Sequence, residues 1–309
     1  MKTQSKARGP ASIGNCAAGF DVLGHSFAGP NDVVTVTLRE DSDIVITDIR
    51  SGDAELPTDP ERNTASRAVL ELRRLAGANQ MGFSIEIDKG IPLASGMGGS
   101  AASAVAAVVA TNHLLPTPQP TKTLYAAACA GEAAASGAPH GDNVAPSLLG
   151  GLVIAPREGD PVPILVPDWL HIGLVHPHCQ LETRSSREVL QAPFRLDEIT
   201  RQTEGLALLM AGCFTADESL LRRGLYDVLA EPRRAPLIPG FAGVKQAALD
   251  NGAIGASIGG GGPSVFGWFA SQASAQQGVA AMQRAFADAS LASDSFVAPV
   301  AGPQAEVIA

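Results

Sequence analysis

A glycine-rich turn, Pro92-Leu-Ala-Ser95-Gly96-Met-Gly98-Gly99-Ser100-Ala101-Ala-Ser103, runs straight into an alanine-rich segment. Gly96, Gly98 and Gly99 allow positive φ and let a ligand approach the main chain, and Ser100 is expected to cap the following helix. The first turn of a helix carries unpaired N–H groups and a partial positive charge, so the pattern describes a cradle for a phosphate. Taken alone, such a turn also serves as a purely structural loop.

Two familiar phosphate loops do not fit. A Walker A loop ends in Gly-Lys-Ser/Thr, and no lysine lies between Lys89 and Lys122. A dinucleotide fingerprint needs an acidic residue about 20 positions on at a strand end. That region is Pro116-Thr-Pro-Gln-Pro-Thr121, neither strand-like nor acidic.

Four further segments hold polar groups among small residues. The first is Pro10 to Gly24, with Asn15 and Asp21, which also read as turn and cap residues. The second begins with Glu132, a carboxylate in an Ala/Gly-rich helix, which calls for a partner such as a divalent cation. His140, Asp142 and Asn143 follow at its glycine- and proline-rich exit. The third pairs Thr183-Arg184-Ser-Ser-Arg187 with the turn after Arg234, arginines suited to bidentate carboxylate recognition or to plain solvation. The fourth is Gly252 to Phe266, where four glycines, Gly259 to Gly262, enter a strand. A run like that suits close approach to the backbone, or a tight bulge.

These residues need elements to hold them. Val33–Leu38, Asp43–Asp48 and Phe83–Asp88 read as strands by β-branching and alternation, and Thr64–Leu75 reads as a helix with one apolar face, preceded by Asn63. Helices are predicted over Ser100–Leu115 and Thr121–Ala135, the latter closing at Gly137-Ala-Pro139. Beyond a boundary near 152–158, strands are predicted at Gly151–Ala155, Ile172–Val175 and Ser264–Phe269. Helices are predicted near Arg184–Leu190, Leu196–Phe214, Glu218–Leu229, Phe241–Asn251 and Ala273–Ala289.

A chain of 309 residues has room for two cores, and 22 basic against 31 acidic residues give a net charge of −9. No basic run exceeds a pair, which argues against nucleic acid as partner. Cys16, Cys129, Cys179 and Cys213 form no C-x-x-C pair, so a reducing cytoplasm is expected. No apolar run is long enough to span a bilayer, so no membrane association is expected.

Three of the segments, in order, resemble motifs of the GHMP kinase superfamily: P-A-S-x-x-N-x-G-x-G-F-D-x-L-G at residues 10–24, P-x-x-x-G-L-G-S-S-A-A at residues 92–102, and G-A-S-I-S-G-x-G-P at residues 255–263. The segment from Ala135 to Gly151 looks like the branch that phosphorylates the amino acid L-homoserine, and the likeness covers essentially the whole chain. The resemblance implies an α+β, two-domain GHMP kinase fold. Residues 1–155 would form an ATP-binding domain with a left-handed β-α-β unit, and residues 156–309 a ferredoxin-like domain.

It also implies a chemistry: transfer of phosphate from ATP to the hydroxyl of L-homoserine, with Mg²⁺, on the way to threonine. ATP would meet Asn63, Pro92, Ser95, Gly96, Gly98, Gly99, Ser100, Ala101 and Ser103, with Ser100 and Glu132 as the metal ligands. The substrate hydroxyl is expected near Asn15 and Asp21, the latter orienting it or acting as base. The ammonium group would lie near Asp142 and Asn143 and the carboxylate at Arg187 and Arg234, with His140, Thr183 and Gly260 lining the pocket. A homodimer is a further implication. Several positions depart from the motifs: Gly14, Ala17-Ala18-Gly19, Met97, Gly99, Gly259 and Gly261. A related kinase for a shikimate- or mevalonate-type alcohol stays open as an alternative, and Gly99 and Gly259, each in place of a family serine, keep open a catalytically silent ligand sensor.

Overall fold

The computed structural model describes residues 2–51, 56–137 and 140–308, apart from the side chains of Ala135, Ser136 and Thr183. Four strands, β1 (Gln4–Gly14), β2 (Leu23–Arg39), β3 (Ile44–Arg50) and β4 (Gly82–Asp88), build the first sheet in the order β1-β2-β4-β3. β1 and β2 are antiparallel from Gln4↔Thr37 to Gly14↔Gly24, with a bulge between Pro10 and Ser12. β3 and β4 run parallel and are joined through helix α1 (Thr64–Leu75), which supplies a β-α-β unit.

The predicted bounds of α1 hold at both ends. Asn63 Oδ1 accepts from Ala65 N at 3.0 Å, and Ala65, Ala68, Val69 and Leu72 are buried along one face. Helix α2 (Gly99–Asn112) is different, since alanines and valines bury nearly all of its circumference. It lies between the sheet and helices α1 and α3 (Thr121–Ser136), where small side chains permit close packing. At Gly9 a Cβ would stand 2.2 Å from the Ala102 carbonyl oxygen, so only glycine lets β1 touch α2 there. α3 closes at Gly137 in the left-handed region, as predicted, while Ala138 and Pro139 lie outside the described residues.

Short helix α4 (Val144–Leu149) leads to β5 (Leu152–Ile154) and β6 (Val162–Ile164), which extend the first sheet through β2. The second sheet takes β7 (His171–Pro177), β8 (Gly255–Ile258), β9 (Val265–Phe269) and β10 (Ser293–Pro299) in the order β10-β7-β9-β8, all antiparallel. Between β7 and β8 run helices α5 (Thr183–Glu188), α6 (Leu196–Thr215), α7 (Glu218–Gly224), α8 (Glu231–Arg234) and α9 (Phe241–Asp250). α10 (Gln272–Asp288) joins β9 to β10. The β-α-β-β-α-β succession with strand order 4-1-3-2 is ferredoxin-like, as expected.

Two sequence expectations need revision. The helix predicted over Glu218–Leu229 stops at Gly224, where a Cβ would collide with the Leu209 backbone nitrogen at 2.4 Å. The chain halves also interleave, because β6 and a final strand, β11 (Glu306–Val307), belong to the first sheet, β11 pairing with β1.

One face of the second sheet packs on α9 and α10 through Val175, Val244, Phe269, Met282 and Phe286. The other shares a core with the first sheet: Ile13, Leu23, Phe27 and Leu152 meet Ile172, Leu174, Phe266 and Trp268. At its centre buried Trp268 Nε1 donates to His25 Nε2 at 3.2 Å, and His25 Nδ1 faces the Ser26 carbonyl at 3.0 Å. This arrangement fixes a neutral imidazole with its proton on Nδ1. Burial lowers the His25 pKa to about 4.

Candidate active site

The three glycine-bearing segments meet at one place. Gly260 N donates to the Gly14 carbonyl (3.2 Å), Ser12 N to the Met97 carbonyl (3.2 Å) and Ser264 N to the Ser95 carbonyl (3.2 Å). Ser264 Oγ gives the Ser95 carbonyl a second bond at 2.7 Å. Over this junction opens a cleft of about 660 Å³. It is lined by Asn15, Asp21, Asn63, Pro92, Ser95, Gly96, Gly98, Gly99, Ser100, Ser103, Glu132, His140, Asp142, Asn143, Arg187, Arg234 and Gly260. Most residues singled out in the sequence therefore share one cavity.

The phosphate loop is shaped by its glycines. Gly96 has φ +78°, and a Cβ there would lie 2.4 Å from the Gly259 carbonyl oxygen. Gly98, at φ +67°, is the N-cap of α2 and has no capping side chain. This corrects the expectation for Ser100, which falls inside the first turn, leaving its hydroxyl free of the cap and hydrogen-bonded to Glu132 instead. The N–H groups of that turn have no partner within the helix. Ala101 departs as well: its methyl is fully buried in the core, so only its backbone faces the loop.

A lysine does serve this loop, one that a search for the Walker pattern overlooks. Lys89, just beyond β4, donates to the Gly99 carbonyl (2.8 Å) and to Ser103 Oγ (2.9 Å), and pairs with Asp32. Asp32 is fully buried and accepts from Gly90 N and Ile91 N, both at 3.1 Å, and from Ser103 Oγ at 2.6 Å. The ammonium thus clamps the start of α2. Only the charge of an acidic residue within a β-branched strand run could have flagged Asp32.

Asn63 has both ends of its amide engaged, Oδ1 in the α1 cap and Nδ2 on the Pro57 carbonyl at 3.0 Å. Its contribution to the cleft is the shape of the wall around it. Glu132 is half-buried in the cleft wall; desolvation pushes its carboxyl up to about 7, against the pull of the Ser100 hydroxyl bond, and the Asp142 charge adds to the rise. A carboxylate held so uneasily is satisfied by a cation. Among the described residues no three His, Cys, Asp or Glu side chains gather into a metal cage. The Ser100 hydroxyl and the Glu132 carboxylate are hard oxygen donors of the kind a magnesium ion takes, and nucleotide phosphates would supply further ones.

Deeper in the cleft lies a group of mixed charge around the Gly260 carbonyl, which accepts Asn15 Nδ2 (2.7 Å) and Arg234 Nη1 (2.9 Å). Asn15, at φ +71°, accepts Asp21 N on Oδ1 (3.0 Å), and its own N–H donates to Asp142 Oδ2 (3.1 Å). Cys16, Ala17 and Asp21 also have positive φ, a concentration of backbone strain at one loop. Arg187 Nη1 and Nη2 grip the Asp21 carboxylate at 3.1 and 2.9 Å. Its Nε is buried without a partner among the described residues.

His140 Nδ1 stands 3.6 Å from the same carboxylate, and burial lowers its pKa. Burial raises the Asp142 carboxyl to about 6, with Asp21 adding to the rise. Burial lowers the Arg234 pKa, and the neighbouring Arg187 charge adds to this. The Asn143 side chain accepts from Ser12 Oγ at 3.1 Å, beneath Gly98. The Thr183 side chain lies outside those described.

Known proteins share this arrangement. The family profile "GHMP kinases N terminal domain" matches residues 63–151 and "GHMP kinases C terminal" matches residues 209–288. The homoserine kinase of Xanthomonas campestris pv. campestris (strain B100) is 52% identical over 307 residues, covering 99% of this chain and 94% of that one. That of Chloroherpeton thalassium (strain ATCC 35110 / GB-78) is 44% identical, covering 94% and 95%. The crystal structure of homoserine kinase from Cytophaga hutchinsonii ATCC 33406 superposes with a TM-score of 0.95 at 40% identity, covering 100% of this chain and 98% of the other. With glycine loop, carboxylate–hydroxyl pair and mixed-charge pocket in one cleft, and relatives of this closeness over its full length, the chain is a kinase of the GHMP family, on its homoserine kinase branch.

Proposed function

We propose that the chain transfers the γ-phosphoryl group of Mg²⁺-bound ATP to the hydroxyl of L-homoserine, forming O-phospho-L-homoserine on the way to threonine. The observation that carries this reading is the gathering of two arginines, Arg187 and Arg234, and two carboxylates, Asp21 and Asp142, in one cleft. A zwitterion with a short hydroxyl arm matches that pattern. Shikimate and mevalonate carry a carboxylate but no ammonium group, and would bring no cation to Asp142.

The bound Mg²⁺ neutralises charge on the phosphates, which matters most in the loose transition state of phosphoryl transfer. The chain's residues do the positioning. The first-turn N–H groups of α2 receive the phosphates, and Ser100 with Glu132 holds the cation. Asn15 and Asp21 orient the hydroxyl, Asp142 meets the ammonium, and Arg187 and Arg234 meet the carboxylate. Asn143, whose amide oxygen faces Ser12, offers its NH₂ to an oxygen rather than to the ammonium.

The four cysteines are free and no helix among the described residues is long and apolar enough to cross a membrane, in keeping with a cytoplasmic enzyme. A coupled ADP-release assay with L-homoserine, shikimate and mevalonate side by side tests the substrate. Turnover of homoserine alone is expected. Preferential turnover of either acid, or none of the three, overturns the reading.

A further inference from the structure

Arg234 is 3% exposed and ends α8, a helix of four residues. A single turn has no stability of its own, since nucleation costs more than one hydrogen bond returns. Something else must fix it, and the fixing groups lie outside the cleft. Asp227 Oδ1 accepts Leu229 N (2.8 Å) and Ala230 N (2.9 Å), and its Oδ2 accepts Glu231 N (2.9 Å), which ties down the entry to the turn.

Glu231 then anchors the turn sideways. Its Oε2 accepts Ser257 Oγ of β8 at 2.7 Å and its Oε1 pairs with Lys245 Nζ of α9. Glu231 is 8% exposed, and neither it, Lys245 nor Ser257 lines the cleft. Apolar residues in place of a whole buried ion pair are often neutral for stability, so the pair is better explained by the single position it imposes. One helical turn further on, Arg234 Nε and Nη1 engage the Ser186 and Gly260 carbonyls at 3.0 and 2.9 Å, leaving Nη2 for a ligand.

We infer that Glu231, clamped by Lys245 and Ser257, is a positioning residue that sets where the Arg234 guanidinium meets the substrate carboxylate. This rests on the carboxylate-binding role proposed for Arg234. Because reactive geometries tolerate little displacement, Glu231→Leu is expected to lower kcat/KM for homoserine roughly 10- to 100-fold, mostly through KM, with KM for Mg·ATP unchanged. Glu231→Gln keeps the shape and the Ser257 bond but loses the ion pair. It should show a smaller loss of the same kind, as should Lys245→Met.

The deciding experiment is a double-mutant cycle with Arg234→Leu. Arg234→Leu alone must reduce the preference for L-homoserine over 3-aminopropan-1-ol, which has no carboxylate. If it does not, the role of Arg234 falls, and the inference with it. If it does, adding Glu231→Leu, or Glu231→Gln or Lys245→Met should the leucine variant not fold, is expected to change kcat/KM by less than about twofold. A second full loss in the Arg234→Leu background, or a parallel rise in KM for Mg·ATP, would show that Glu231 holds only the fold and overturn the inference.

Discussion

The Asp21 carboxylate is held on both oxygens by Arg187, at 2.9 and 3.1 Å, on a residue whose own φ is +55°. A carboxylate so engaged is placed to orient a hydroxyl and ill suited to take up its proton. General-base catalysis contributes about 10²–10⁴-fold. Asp21→Asn is therefore expected to lower kcat by no more than about tenfold while raising KM for homoserine, because Arg187 loses its partner. A loss of 10³ or so in kcat at unchanged KM would make Asp21 the base.

Glu132→Gln should abolish nearly all turnover, by at least about 10²-fold, while the protein stays folded. The variant also carries a pH signature. The folded-state pKa is raised from 4.5 to about 7, so the unliganded protein binds the proton more tightly than its unfolded chain does. That stability is complete below 4.5 and is lost as pH rises through about 7. Melting temperatures of the unliganded forms should therefore diverge in favour of Glu132→Gln across this window, while Mg·ATP stabilises the wild type alone. Parallel curves would remove Glu132 from the cation site.

Gly96 and Gly99 should respond in opposite ways. Gly96→Ala places a Cβ 2.4 Å from the Gly259 carbonyl oxygen at positive φ, so it should cost more than the ~1–2 kcal/mol of left-handed backbone strain and raise KM for Mg·ATP. At Gly99 a Cβ meets Ile91 Cγ2 at 3.3 Å and Lys89 Nζ at 3.5 Å, contacts that small adjustments relieve. Gly99→Ser restores the family hydroxyl and should shift stability by less than about 1 kcal/mol, with KM for Mg·ATP lowered only a few-fold. Thermal melts and ATP titrations read both.

His25 makes the fold sensitive to acid. Its folded pKa of about 4 lies below the ordinary 6.5, so the stability of the neutral form is present above 6.5 and lost as pH falls toward 4. His25→Leu should flatten that part of the melting-temperature profile. At neutral pH it should cost about 1–3 kcal/mol, because Trp268 Nε1 is left buried without an acceptor. An unchanged acid limb would assign the sensitivity to other groups.

Local chemistry was legible wherever one segment carried its own signal. α1 was bounded to the residue by Asn63 and its apolar spacing, and the four polar segments converged because each needed small neighbours. β1 was not recognised as a strand: its Gly9-Pro10-Ala-Ser12 composition lacks β-branching, and its smallness answers to α2 lying against it. β10 was missed for a related reason, since Ser293, Asp294 and Ser295 break the apolar alternation. Lys89 and Asp32 stand 57 residues apart and join only when β2 and β4 pair. Asp227 and Glu231 read as ordinary surface charge until the fold buries them, with Lys245 half-buried beside Glu231.

The pairing of β11 with β1, at Ala7↔Val307 and Arg8↔Glu306, joins two segments that are far apart in sequence, with the whole second sheet between them. During synthesis β1 is made well before β11, so one of its edges stays open until the residues of the second sheet have followed. The opening segment that positions Asn15 and Asp21 is thus closed on that side only after the second sheet exists. Competence for chemistry would appear late and all at once, and nascent chains stalled short of residue 306 would present a bare strand edge to chaperones or to one another.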